Sequence, residues 1–203
     1  MRGLLVDFGG VLTSNVFESF RTFAEEEGLD PDVIRTLFRE EPRALEAVRA
    51  LETGAIGEDE FGEQFGELLE LEQARRPGLV ERMFGHIAPD EPMLDALRRA
   101  RAQGIRTGLI SNSMGAGRYD RSLFPELFDG VVISGEVGLH KPQPEIFELG
   151  CERVGLPPRD CVFVDDLREN CEGAEAVGMT AVLHRGAEST LPRLEALLGV
   201  ALR

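Results

Sequence analysis

Five short runs in this chain are apolar almost without interruption: LLVDF at positions 4–8, TGLIS at 107–111, VVIS at 131–134, CVFVD at 161–165 and TAVLH at 180–184. A strand with one face in water alternates apolar and polar residues, because successive side chains point to opposite faces, whereas a strand covered on both faces has no reason to alternate. The five runs therefore predict a parallel sheet with helices above and below it. The segments between the later runs carry helix signals: PMLDALRRARAQG follows the start residue Asp90 and stops at Gly104, and QPEIFELGCERVG and ENCEGAEAVG each close on glycine. Strand and helix alternate, so the fold class is α/β.

One stretch breaks this alternation. Positions 15–88 hold no strand-like run, only stripes at helical spacing: Val16, Phe17, Phe20, Phe23 and Ala24; then Val33, Ile34, Leu37 and Phe38; then Phe61, Phe65, Leu68 and Leu69. A wholly helical block of this length is too long for a crossover between neighbouring strands and predicts an inserted cap, with residues 1–14 and 89–203 as the core. Its hinges are expected near Thr13 to Asn15 and Ala88 to Pro92, and its closure over the loops after the first strand would exclude water. The acidic segment GEDEFGEQFGE within it reads as a solvated helix face.

The 203 residues, 42% hydrophobic, suit one domain or a domain with an insertion. No apolar stretch approaches the roughly 18 residues of a membrane span, so no membrane partner and a cytoplasmic location are expected. A formal charge of −15 argues against nucleic acid, which is bound through clustered Lys and Arg. Cys151, Cys161 and Cys171 are odd in number and lack zinc-site spacing, so they read as packed, reduced thiols. A monomer or a homodimer suits this composition.

In an open parallel sheet, ligands gather beyond the carboxyl ends of the strands. Those ends are polar here: Asp7 after the first run, Ser111 and Asn112 after the second, Lys141 beyond the third through GEVGLH, and Asp165 and Asp166 after the fourth. Three carboxylates brought to one edge would repel by about 4 kcal/mol per pair at an effective dielectric near 20. Lys141 supplies one positive charge, and a divalent cation with all-oxygen ligands, hence Mg²⁺, supplies the rest. Lys141 is also the only lysine in a chain that otherwise uses arginine throughout, which marks a position requiring a compact ammonium rather than a planar fork. His140 adjoins it, and Arg118 and Arg121 follow the second run as candidates to face a substrate. The GAG at 115–117 lacks the spacing of a dinucleotide site and reads as a loop.

Taken in order, DFGGVL, ISNS, SGEVGLHKPQPEIF and VFVDD resemble the four motifs of the haloacid dehalogenase-like (HAD) hydrolase superfamily, and the resemblance covers nearly the whole chain. It implies a Rossmann-like core with an all-helical cap after the first strand, and a phosphatase acting on a small phosphorylated metabolite. By the same resemblance Asp7 would be the nucleophile that becomes an aspartyl phosphate. Ser111, with Asn112 beside it, would bind the transferring phosphoryl group, and Lys141 would neutralise charge there. Asp7, the Gly9 carbonyl and Asp166 would hold Mg²⁺, with Asp165 supporting metal and lysine and Asn170 behind them. The sequence departs from the family pattern two residues after Asp7, where phosphatases usually carry an acid that protonates the leaving group and Gly9 stands instead. Two other readings remain open: a catalytically weak or non-enzymatic binding protein, and a metal-independent haloacid dehalogenase, against which the Asp165 and Asp166 pair argues.

Overall fold

A computed structural model describes residues 2–115 and 119–203, so Ala116, Gly117 and the candidate Arg118 lie outside the described residues. Strands β1 (Gly3–Val6), β2 (Arg106–Ser111), β3 (Gly130–Ile133), β4 (Cys161–Asp165) and β5 (Thr180–Leu183) form one parallel sheet in the order β3-β2-β1-β4-β5. The five predicted runs are these five strands, shifted by no more than two residues at either end.

Eleven α-helices are seen among the described residues. Between β1 and β2 lie α1 (Val16–Glu26), α2 (Val33–Glu40), α3 (Pro42–Glu52), α4 (Glu58–Leu68), α5 (Leu79–Met83) and α6 (Glu91–Ala102). After them come α7 (Phe124–Leu127), α8 (Ser134–Val137), α9 (Pro144–Val154), α10 (Arg168–Ala176) and α11 (Ala187–Leu198). None is long and apolar enough to cross a membrane.

The unbroken apolarity of the strands follows from the layering. Leu4 and Val6 of β1 point to one face, where they join Leu109, Val164 and Val182 and are covered by Met93 and Leu97 of α6 and Leu191 and Leu194 of α11. Leu5, between them, points to the other face and joins Ile110, Phe163 and Ala181 under Ile146 and Phe147 of α9 and Ala174 of α10. Both faces of the sheet are thus buried, a layering worth roughly 25 cal/mol per Å² of apolar surface removed from water. The Asp90 carboxylate accepts from Met93 N at 3.0 Å and starts α6 where the sequence marks it. The three cysteines are free and buried.

Helices α1 to α5 pack around a separate apolar cluster that includes Phe20, Phe23, Ile34, Phe61, Phe65 and Met83, so the three stripes of the sequence share one interior. The chain enters and leaves this block side by side. Thr13 and Pro89 pair as an antiparallel bridge, Ser14 N donates to the Ala88 carbonyl at 2.7 Å, and Asp90 N donates to the Leu12 carbonyl at 2.9 Å.

Candidate active site

The carboxyl edge of the sheet gathers the polar residues by backbone register. Asp7 follows β1 directly and its N–H donates to the Val164 carbonyl at 2.9 Å, which continues the ladder with β4 and sets Asp7 near Asp165, the last residue of that strand. Lys141 comes from the segment after α8. Its N–H donates to Asn112 Oδ1 at 2.8 Å and its carbonyl accepts from Asn112 Nδ2 at 3.2 Å, so one side chain at the end of β2 clamps both backbone groups of the lysine. The ammonium then reaches Asp7 Oδ1 and Asp165 Oδ2, each at 2.7 Å, and uses two of its three N–H groups. A single nitrogen between two carboxylates from two strands is a geometry that a guanidinium fork does not reproduce.

Asp165 is wholly buried and fully engaged. Beyond the lysine it accepts from Leu167 N at 2.8 Å and from Asn170 Nδ2 at 3.1 Å on each oxygen, which fills the roughly four lone-pair positions of a carboxylate. Asp7, Asp165 and Asp166 each present an oxygen within 4.8 Å of the other two. Asp166 can come this close because of Gly10, which has φ +74°, and a Cβ there would stand 2.6 Å from Asp166 Oδ2. Gly9 has space for a side chain except toward Val16, whose Cγ2 would lie 3.1 Å from an added Cβ.

The charge balance is visible in the proton affinities. Burial raises the Asp7 carboxyl to about 7 against the opposing pull of Lys141, with Asp165 and Asp166 adding to the rise. Burial and the Asp165 charge raise Asp166 to about 6. Burial works against the Lys141 ammonium, but Asp165 and Asp7 outweigh it and hold its pKa above the ordinary lysine value. Three carboxyls with one cation form a site short of positive charge.

A cavity of about 440 Å³ opens above this edge. Its floor carries Asp7, Ser111, Asn112, Lys141, Asp166 and Asn170, and its opposite wall carries Val16, Phe17, Phe20, Phe38, Val48 and Phe84 from the helical block. Two further polar residues line it that the sequence did not single out. Tyr119, the only tyrosine of the chain, shares a hydrogen bond of 2.9 Å with Ser111 Oγ and packs its ring against Phe8, centroids 4.9 Å apart. Burial raises its phenol, which stays protonated. Glu52, at the end of α3, reaches the cavity from the helical block, and its Oε2 accepts from Asn112 Nδ2 at 3.3 Å. Uniqueness could have drawn attention to Tyr119, as it did to Lys141; nothing local distinguishes Glu52 among 37 acidic residues.

The remaining candidates lie elsewhere. His140 turns Nδ1 to the Lys141 carbonyl at 2.9 Å and does not line the cavity, and Arg121 pairs with Glu136 on the surface.

The family model for haloacid dehalogenase-like hydrolases matches residues 1–178. The chain belongs to that family. Among its relatives, mouse acyl-CoA dehydrogenase family member 10 is 32% identical over 157 residues, a match that covers 73% of this chain but only 15% of the mouse protein. The sesquiterpene phosphatase astK of Aspergillus oryzae is 28% identical over 151 residues, covering 73% of this chain and 77% of the relative. The fold matches that of a HAD family enzyme from Bacteroides thetaiotaomicron, solved in complex with magnesium and inorganic phosphate, with a TM-score of 0.67 and 22% identity over 91% of this chain and 94% of that one.

Proposed function

We propose that this HAD hydrolase is a Mg²⁺-dependent phosphatase that acts through an aspartyl phosphate on Asp7, and that its substrate is a small phosphate monoester with an apolar body. The observation that carries this reading is the Lys141 ammonium between Asp7 and Asp165 on the floor of a cavity, with Asp166 beside them. Relatives that bear the name phosphatase support it.

The residues fit a magnesium ion. The donors are all oxygen, the cluster lacks positive charge, and Gly10 keeps clear the space in which Asp166 stands. Asp7, Asp166 and the Gly9 carbonyl would hold the ion, while Asp165, already saturated by Lys141, Leu167 and Asn170, orients the lysine. Bound Mg²⁺ supplies the positive charge that lets a carboxylate and a phosphate dianion approach each other. The Asp7 oxygen not held by Lys141 attacks phosphorus, the bond to the leaving oxygen breaks, and water later cleaves the Asp7–phosphoryl bond. Lys141 steadies charge on nucleophile and phosphoryl oxygens. Ser111, its hydroxyl fixed by Tyr119, and Asn112 bind the phosphoryl group.

The substrate body is read from the wall opposite. Phe17, Phe20, Phe38, Val48 and Phe84 offer dispersion contact and no hydrogen bonds, and Lys141 is the only basic residue lining the cavity among the described residues. A second phosphate or a carboxylate would find no counter-charge, whereas a hydrocarbon or aryl body would be covered. The helical block serves as the cap that selects this body, and a cytoplasmic monomer or homodimer belongs to the same reading. Gly9 favours one competing reading, a catalytically weak binding protein, which turnover separates from an enzyme.

The test is a panel of phosphate monoesters with and without Mg²⁺. Turnover should vanish in excess chelator and return with the metal. Undiminished turnover in chelator would overturn the proposal and revive the dehalogenase.

A further inference from the structure

The floor of the cavity lacks a proton donor where Gly9 stands, and the facing wall brings one in. Glu52 is the last residue of α3, and its carboxyl lines the cavity that Asp7 also lines. The Asn112 amide that donates to Glu52 Oε2 at 3.3 Å also donates to the Lys141 carbonyl, so Glu52 is tied through one side chain to the residue whose ammonium touches Asp7. The backbone beneath Glu52 is fixed independently. Ser134 Oγ donates to the Glu52 carbonyl while accepting from Ser113 N at 2.8 Å. Two residues on, Gly54 has φ +74°, and any side chain there would stand 2.9 Å from the Gly135 carbonyl. The end of α3 is therefore docked against the β2 and β3 edge of the sheet.

We propose that Glu52 is the proton donor and acceptor of the reaction, standing in from the cap for the acid absent at Gly9. The inference rests on the phosphatase reading. As an Asp7 oxygen bonds to phosphorus and the bond to the leaving oxygen breaks, the protonated Glu52 carboxyl gives its proton to that oxygen, which departs as an alcohol. The Glu52 carboxylate then takes a proton from water as the water oxygen bonds to phosphorus and the Asp7–phosphoryl bond breaks. Inorganic phosphate leaves, and both carboxyls return to their starting state.

The surroundings suit a group that alternates between acid and base. Burial raises Glu52 to about 7; Lys141 opposes the rise, Asp7 adds to it, and Arg49 and the Asn112 hydrogen bond pull it back. A carboxylate on the last turn of a helix also faces the negative end of the helix dipole. Proton transfer is most effective when the group titrates near the working pH.

The test compares wild type with Glu52→Gln, an isostere that keeps an acceptor for Asn112, on Mg²⁺-loaded enzyme and a series from 4-nitrophenyl phosphate to a primary alkyl phosphate. The quantity read is kcat/KM, which reports transfer to Asp7. In Glu52→Gln it should fall by about 10² to 10⁴-fold for the alkyl ester and by less than about ten-fold for the nitrophenyl ester, whose leaving group needs no proton. The nitrophenyl ester should then give a burst of product, because water attack has lost its base. On the alkyl ester, the loss of wild-type activity as pH rises through the Glu52 titration should be missing from the variant. An equal loss across the series, in a variant of unchanged Tm, would reduce Glu52 to a latch for Asn112. Wild type gives a control free of any folding defect: a steep dependence of its own kcat/KM on leaving-group pKa would also overturn the proposal. Wild type inactive on every ester with Mg²⁺ would instead overturn the phosphatase reading itself.

Discussion

The floor and the wall of the cavity are built on opposite principles. On the floor the polar groups around the lysine hold one another: Lys141 is held by Asn112, Asp7 and Asp165; Asp165 by Lys141, Leu167 and Asn170; Ser111 by Tyr119. On the wall Phe17, Phe20 and Phe38 meet one another edge to face, at centroid distances of 5.8 to 6.3 Å, and the charged group against them is the Arg35 guanidinium, 5.1 Å from the Phe17 centroid, a stacking contact rather than a hydrogen bond. Hydrogen bonds are directional and lose most of their strength with small displacements, whereas dispersion contact tolerates a change of shape. The difference teaches where tolerance lies: the floor accepts few substitutions, and the wall accepts many at the expense of which substrate fits. Glu52 is the exception, a floor-like residue carried by the wall.

The contrast is broken most severely at the nucleophile. Asp7→Asn should lower turnover by more than about 10³-fold, because the covalent route is lost, while the metal-free protein keeps its Tm or gains slightly once a crowded carboxylate is gone. Lys141→Arg should also fail, by about 10²-fold or more, since a planar fork cannot stand 2.7 Å from both carboxylates through one nitrogen. Near-full activity in Lys141→Arg would show that the floor is less exacting than its geometry implies.

An intermediate effect is expected at the wall. Phe38→Ala should reduce kcat/KM by roughly ten-fold for a long-chain or aryl phosphate, on the scale of one ring partly withdrawn from water. A short polar phosphate should change by less than about two-fold. If both substrates suffered alike, the wall would be acting on the chemistry and the division between the two surfaces would fail.

The smallest effect sharpens the comparison. With Glu52 donating, Gly9→Asp should alter kcat/KM for alkyl phosphates by no more than a few-fold, and Val16, 3.1 Å from the new Cβ, has to shift to admit it. A gain of about 10²-fold or more, within the range of general acid catalysis, would mean that the native site works without a proton donor.

What the sequence discloses about this molecule depends on whether a signal is local. The sheet is legible because two-sided burial writes itself into four or five consecutive residues, as in CVFVD. The floor is legible because Asp7, Ser111, Asn112, Asp165 and Asp166 stand at or just past the ends of strands, and because lysine occurs once. Asn112 was expected to help bind phosphate; its side chain also proves to be the brace for the Lys141 backbone, a pairing across 29 residues that no local pattern encodes. Glu52 lies 60 residues from Asn112 on an ordinary amphipathic helix, so only the docking of α3 reveals it. Phe17, Phe20 and Phe38 read equally well as core and as cavity wall, and they serve both. Helix α11 escaped because Pro192 interrupts its pattern, although Leu191, Leu194 and Leu198 of that helix close one side of the sheet.

The paired entry and exit of the helical block bear on how the chain finds its fold. Strand β1 must join β2 across some hundred residues, since Leu4 pairs with Thr107. Closing a flexible loop the length of the block, from Ser14 to Ala88, costs about 4 kcal/mol in chain entropy beyond a constant term. A block that first condenses around its own phenylalanines brings those two residues within a hydrogen bond of each other and absorbs that cost locally. The central pairing of the sheet then becomes a short-range event, so the segment that walls the cavity also shortens the search by which the rest of the protein assembles.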